Sequence, residues 1–367
     1  MTESPRLSAR TKWVALVVML ILGIVVIVAV AEGLVRARQW AKYGAFASYD
    51  SLYRVDESIP LRVLVPGARV GNITINSSGF RGPAIEMPKP QNRIRIAFLG
   101  ASTTFCAEVS SDAAVWPNIV VEQLSKRFPE VKFDYVNGGV PGYVVRSSLL
   151  NLEHKIEPLD PDVVLIYEAT NDLSGEVNAL AAAQGLIAAE RNRPGWLERH
   201  LLLWELVVKN LRVRSAQQDA VAATNRVRMD KATLGAEFHH DLRELVTAAQ
   251  RKGRLVAVAT FSTQLRVEQS AEERKRAAVS ALVYMPNIGL DDLVFGYRRY
   301  NDIIENVARE RGALLIEGET DIPGDPIHFV DTVHFSDAGS RKMADRVFNG
   351  LVGSPDFLRL VASRQPH

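Results

Sequence analysis

The chain predicts an α/β fold built on a doubly wound, mainly parallel five-stranded sheet, preceded by a membrane-spanning helix and a small β-rich preface. Three observations carry this reading. Apolar runs of strand length alternate with helix-period stretches from Ile94 onward. Chemically special residues, Ser102, Gly142 and Asn171, follow the first three of those runs. An uncharged apolar stretch from Trp13 to Ala31 stands apart from both patterns.

These signals divide the chain into a basic tail (1–12), a transmembrane helix (13–35), a juxtamembrane segment and preface (36–90), an α/β domain (91–352) and a C-terminal tail (353–367). At about 1.5 Å per residue, the uncharged run makes a helix of roughly 28 Å, close to the hydrocarbon thickness of a bilayer. Trp13 and Trp40 flank it near interfacial depth. Ala29-Val30-Ala31 has the form of a signal-peptide cleavage site, but the apolar run exceeds the usual signal length, which favours an uncleaved anchor. Charge leaves the orientation open, because Arg6, Arg10 and Lys12 precede the helix while Arg36, Arg38 and Lys42 follow it.

In the preface, Pro60, Pro66-Gly67 and Asn76-Ser77-Ser78-Gly79 punctuate short β-prone runs such as Val70 to Ile75. Beyond Pro88-Lys89-Pro90 the strand candidates are residues 94–99, 133–136, 163–167, 255–260 and 313–316. Helices are expected at 113–127, 146–156, 234–252, 297–311 and 337–350. An insertion at 173–230 carries Leu197, Leu201, Trp204 and Val208 at helical spacing, with Arg199, Lys209 and Arg212 elsewhere around the helix. Its apolar stripe suits packing on the domain, or else a lid or membrane-surface helix.

The 367 residues are 47% hydrophobic and 23% charged, an ordinary globular balance with ample length for a core. A net charge of +2 gives no reason to expect a nucleic-acid partner. The single cysteine, Cys106, rules out an intramolecular disulfide and any Cys-rich metal site. Residues 100–102 match neither dinucleotide nor phosphate-loop patterns, and His239-His240 lacks ligands at metal-site spacing, so no cofactor is expected.

The chemistry lies in Asp331-Thr332-Val333-His334 read together with Gly100-Ala101-Ser102. Three residues of separation set the Asp and the His on one turn, where a carboxylate can hold the imidazole Nδ1–H and leave Nε2 free to take a proton. A serine just beyond a buried strand is what such a base would activate. Ligands of a doubly wound sheet bind beyond the strand carboxyl ends, which is where Ser102, Gly142 and Asn171 fall. The backbone N–H of Ser102, that of Gly142 and the Asn171 amide are therefore candidate oxyanion donors. His328 reads as a surface or supporting histidine.

These segments resemble the SGNH (GDSL-type) hydrolase superfamily. The resemblance runs from about Ile94 to Phe348 through residues 100–104, 137–142, 168–172 and 329–339, in the family's order. Asn76 to Gly82 also resembles the preface of the family's membrane-anchored bacterial branch. The resemblance implies a flavodoxin-like fold in which Ser102 is the nucleophile, His334 the base and Asp331 its orienter, with Ser102, Gly142 and Asn171 as the oxyanion hole. Ala101 departs from the family's usual Asp, and Ala169-Thr170 from its small Gly-type residues. The implied activity is a membrane-anchored serine esterase cleaving O-acyl esters, O-acetyl among them, on an envelope carbohydrate or lipid. An O-acyltransferase using a sugar hydroxyl as acceptor, or a catalytically silent glycan-binding protein, are the alternatives. The implied location is the membrane, with the hydrolase domain on the periplasmic side.

Overall fold

The computed structural model describes residues 9–43, 49–187, 204, 207, 208, 211 and 226–365. The chain forms two compact units, one of Met1–Phe46 with Asn192–Leu211 and one of Ala47–Arg191 with Arg212–His367. The first holds helix α1 (Ala9–Tyr43), whose stretch Trp13–Arg38 is long and apolar enough to cross a membrane. Glu32 pairs with Arg36 at 2.8 Å near its end. Of the insertion's apolar stripe, Leu197 and Leu201 lie outside the described residues, as do Arg199, Lys209, Arg212 and the tail's Arg6.

The second unit opens with two small antiparallel hairpins, β1 (Tyr53–Val55) with β2 (Arg62–Leu64), and β3 (Arg69–Val70) with β4 (Ile73–Thr74). The central sheet follows as β5 (Arg93–Gly100), β6 (Lys132–Asn137), β7 (Val163–Tyr167), β8 (Leu255–Ala259) and β9 (Leu314–Ile316). Every pairing in it is parallel, in the order β6-β5-β7-β8-β9. The apolar runs are continuous because both faces are covered: all of β7 is buried, and β5 is buried beyond Arg93.

The helices are α2 (Ser102–Phe105), α3 (Trp116–Arg127), α4 (Val145–Asn151), α5 (Thr170–Ala183), α6 (Ala236–Ala249), α7 (Ala271–Ala277), α8 (Val279–Tyr284), α9 (Leu290–Arg311), α10 (Asp337–Val352) and α11 (Pro355–Ala362). Right-handed crossovers put α3 and α10 together on one face and α4, α5, α6 and α9 on the other. Phe98 meets Trp116 edge-on at 5.1 Å on the first side, and Tyr167 stacks on Phe261 at 4.8 Å.

Several elements differ from the sequence expectation. Helix α9 starts seven residues earlier than the pattern at 297 suggested, with Gly289 as N-cap and Asp291 and Asp292 favouring its positive end. Helix α5 grows directly from β7, so helical structure begins before the segment read as an insertion. Part of the stretch read as a C-terminal tail is α11, capped by Ser354 and anchored by buried Phe357 and Val361. Helices α7 and α8 were not expected, although Ser270 and Glu273 form a capping box at the start of α7.

Candidate active site

The order of the sheet reverses between β5 and β7, and the crevice at their carboxyl ends is where α/β sheets bind ligands. Strand β5 ends at Gly100, Ala101 caps α2, and Ser102 is the first helical residue. Asp331 and His334 lie in the loop between β9 and α10. Across 232 positions of sequence, Ser102 Oγ stands 2.8 Å from His334 Nε2. His334 Nδ1 is 2.8 Å from Asp331 Oδ2. The other carboxylate oxygen accepts the N–H groups of Val333 and His334, both at 2.9 Å, so one tight turn orients acid and imidazole together.

The second block reaches the same crevice. Gly139 has no room for a side chain: a Cβ there would lie 2.6 Å from the Phe105 nitrogen and 2.9 Å from the Ala101 oxygen. Its absence lets the turn at 139–143 lie against the Ser102 turn. Gly142 takes φ +87°, a conformation that favours glycine. Among the described residues, neither the Ser102 N–H nor the Gly142 N–H is used by a protein acceptor. The third block is tied to the second, since Asn171 Nδ2 donates to the Tyr143 carbonyl at 2.7 Å and keeps its other N–H.

The GDSL-like lipase/acylhydrolase family matches residues 98–342, a span that includes Ser102, Gly142, Asn171, Asp331 and His334. The chain belongs to this family. It is an SGNH-type serine hydrolase acting on ester bonds. No curated protein matches the chain. Among solved structures, a lipase/acylhydrolase from Enterococcus faecalis is similar at 15% identity, covering 71% of this chain and 96% of that one, with a TM-score of 0.43. An acetylxylan esterase from Geobacillus stearothermophilus is similar at 16% identity over 70% of this chain and 93% of that one, with a TM-score of 0.41. An α/β hydrolase from a Lake Arreo metagenome shares 17% identity over 70% and 94%, with a TM-score of 0.42.

Electrostatics in this hydrolase favour a charged His334. Burial works against the imidazolium, but the hydrogen bond that Nδ1–H donates to Asp331 and the charges of Glu108 and Asp331 outweigh it and raise the pKa to about 9. Burial also opposes charge on Asp331, yet its bonds to His334 and Val333 hold it below the usual carboxylate value. Glu108 is exposed by surface area, while the protein around its carboxylate desolvates it enough to raise its pKa. In the third block, desolvation pushes the Asp172 carboxyl up to about 7 and Glu168 well above its normal value.

Sequence reasoning missed three features of the hydrolase site. Glu108 carries no motif. Thr332, between Asp331 and His334, is tied to α7 and α8, which the pattern did not announce. Asp325 and His328 form a second Asp-x-x-His pair, also closed at 2.8 Å, with no serine hydroxyl on its imidazole among the described residues. On the outer face of α6, His240, Asp241 and Glu244 bring potential ligand atoms within 4.8 Å of one another, a grouping the His239-His240 pair did not reveal.

Proposed function

We propose that Ser102, His334 and Asp331 carry an acyl-enzyme mechanism on O-acyl esters, with the Ser102 N–H, the Gly142 N–H and Asn171 Nδ2 receiving the oxyanion. The observation that carries this reading is the continuous line from Asp331 Oδ2 through the two ring nitrogens of His334 to Ser102 Oγ, with both hydrogen bonds at 2.8 Å. Ser102 Oγ bonds to the ester carbon as its proton passes to Nε2 and the carbonyl π pair moves onto oxygen. Collapse returns that pair, breaks the C–O bond, and the alcohol leaves with the proton from Nε2. Water then repeats the sequence on the acyl-serine and releases the carboxylic acid and free Ser102. The uncommitted N–H groups of Ser102 and Gly142 support the oxyanion assignment, because they need no rearrangement before charge develops.

In this reading residues 13–35 anchor the hydrolase, and the catalytic domain faces an acylated envelope carbohydrate or lipid outside the cytoplasm. The apolar helix supports the anchor. The test is fluorophosphonate labelling of the detergent-solubilised full chain beside Ser102→Ala and His334→Ala. Labelling of wild type that both variants lose is the expected result. A folded wild type that takes no label overturns the mechanism.

A further inference from the structure

Among the buried arginines that the mechanism leaves unused, Arg81 is bonded to the turn that begins at Ser102. Arg81 belongs to the preface, yet its side chain is only 1% exposed and points at the nucleophile turn. Its Nη1 donates to the Phe105 carbonyl at 2.8 Å and to the Cys106 carbonyl, and its Nε donates to Asp112 Oδ1 at 2.8 Å. Those two carbonyls close the C-terminal end of α2, the turn that begins at Ser102. Helix ends leave such carbonyls unsatisfied, and a rigid guanidinium can fix their direction as well as satisfy them. Cys106 follows at φ 56°, left-handed backbone that a residue with a Cβ enters at a cost. Strain of this kind persists where the surroundings over-determine it.

The preface grips the oxyanion turn as well. Tyr143 Oη donates to the Arg62 carbonyl at 2.7 Å, and Arg62 Nη2 donates back to the Pro141 carbonyl. Arg81 also bridges through its backbone to Asn137, whose amide donates to the Thr104 carbonyl and accepts from the Gly139 N–H, each at 3.0 Å. Leu52 and Ile73 of the preface share one buried cluster with Ala101, Phe105, Val140 and Tyr143. This accounts for the departure at Ala101, which is 2% exposed in that cluster, where a carboxylate would lose its hydration.

We propose that the preface is part of the active site, and that Arg81 is its positioning residue: it holds Ser102 in register with His334 without touching substrate. The inference rests on the reading of Ser102 as nucleophile. Misplacing a reacting group by about 1 Å can cost on the order of 100-fold in rate. In detergent micelles, with p-nitrophenyl acetate as substrate and folding verified by near-UV circular dichroism, full-length Arg81→Ala and Arg81→Lys are expected to lose about 10- to 100-fold in kcat. KM should stay within about threefold. Millimolar guanidinium ion should restore part of the kcat of Arg81→Ala by refilling the site, while sodium chloride at equal ionic strength should restore none.

A purely structural role would reduce the amount of folded enzyme and leave kcat per folded molecule alone. Wild-type kcat in folded Arg81→Ala overturns the proposal, as does a loss that guanidinium leaves untouched. If Arg81→Ala does not fold, the kcat-against-KM split of Asp112→Asn decides on the same terms, since that carboxylate is partly exposed. A wild type inert to both ester and fluorophosphonate would remove the Ser102 reading itself, and this inference with it.

Discussion

Thr332 Oγ1 donates to the Ala277 carbonyl at 2.6 Å, which stitches the turn between Asp331 and His334 to the end of α7. The same oxygen accepts from Ser280 Oγ at 2.9 Å and from the Ala281 N–H at 3.2 Å, an otherwise open donor in the first turn of α8. The Thr332 carbonyl in turn accepts the Gln264 N–H at 2.7 Å. The loop bearing Asp331 and His334 is therefore held from two sides.

Thr332→Val keeps the shape and strands these partners, each at a cost of roughly 1–3 kcal/mol. The expected outcome is a lower melting temperature and a fall of about tenfold in kcat, with Thr332→Ser recovering most of both. Calorimetry beside steady-state kinetics checks this. Wild-type kcat in the valine variant would mean that the turn supports itself.

The pKa of about 9 at His334 has a definite sign for catalysis. As the proposed base, the imidazole accepts a proton only when neutral, so kcat/KM should climb with pH well beyond the ordinary histidine value. Glu108 is one of the charges that stabilise the imidazolium, so Glu108→Gln should move the rising limb to lower pH and raise activity near pH 7. Profiles that superimpose would exclude Glu108 from the field at His334.

If Asn171 binds the oxyanion, Asn171→Ala should lower kcat by about 100- to 1,000-fold, equivalent to roughly 2.7–4 kcal/mol, with little change in KM. The bond from Asn171 to Tyr143 gives the variant a modest stability cost as well. A drop confined to KM would place Asn171 in ground-state binding instead.

Two carboxyls of the third block, Glu168 and Asp172, bear on stability. Both Glu168 and Asp172 are raised in the folded chain, whereas unfolded carboxyls ionise near their ordinary values. Raised groups contribute most below the unfolded pKa, so stability should fall as pH rises from about 4 towards 7. Glu168→Gln removes one charge, relieves its neighbour, and keeps an acceptor for Ser148 Oγ, which now bonds Glu168 at 2.6 Å. Its melting temperature should exceed wild type by more at pH 8 than at pH 5. An equal difference at both pH values would show that the pair does not titrate in this range.

Much of this protein was legible from local pattern. Apolar runs mark the buried strands β5 and β7, and the positions beyond β5, β6 and β7 hold Ser102, Gly142 and Asn171. Element ends were less legible, because caps such as Ser354 and Gly289 act through a few polar atoms that hydrophobic period does not register.

By itself, then, the sequence determined a parallel α/β sheet, an apolar N-terminal helix and the set of residues available for acyl transfer. These follow from periodicity and from side-chain chemistry, both of which are local. The sequence had singled out Asp331–His334, and only the tertiary structure shows the contact: that pair meets Ser102, while among the described residues the equally closed Asp325–His328 meets no serine. It alone also brought Arg81 onto the Phe105 and Cys106 carbonyls and tied Thr332, between Asp331 and His334, to the end of α7. Most partners in those contacts are backbone carbonyls and N–H groups, which are alike at nearly every position and leave no mark in the sequence until folding brings them together.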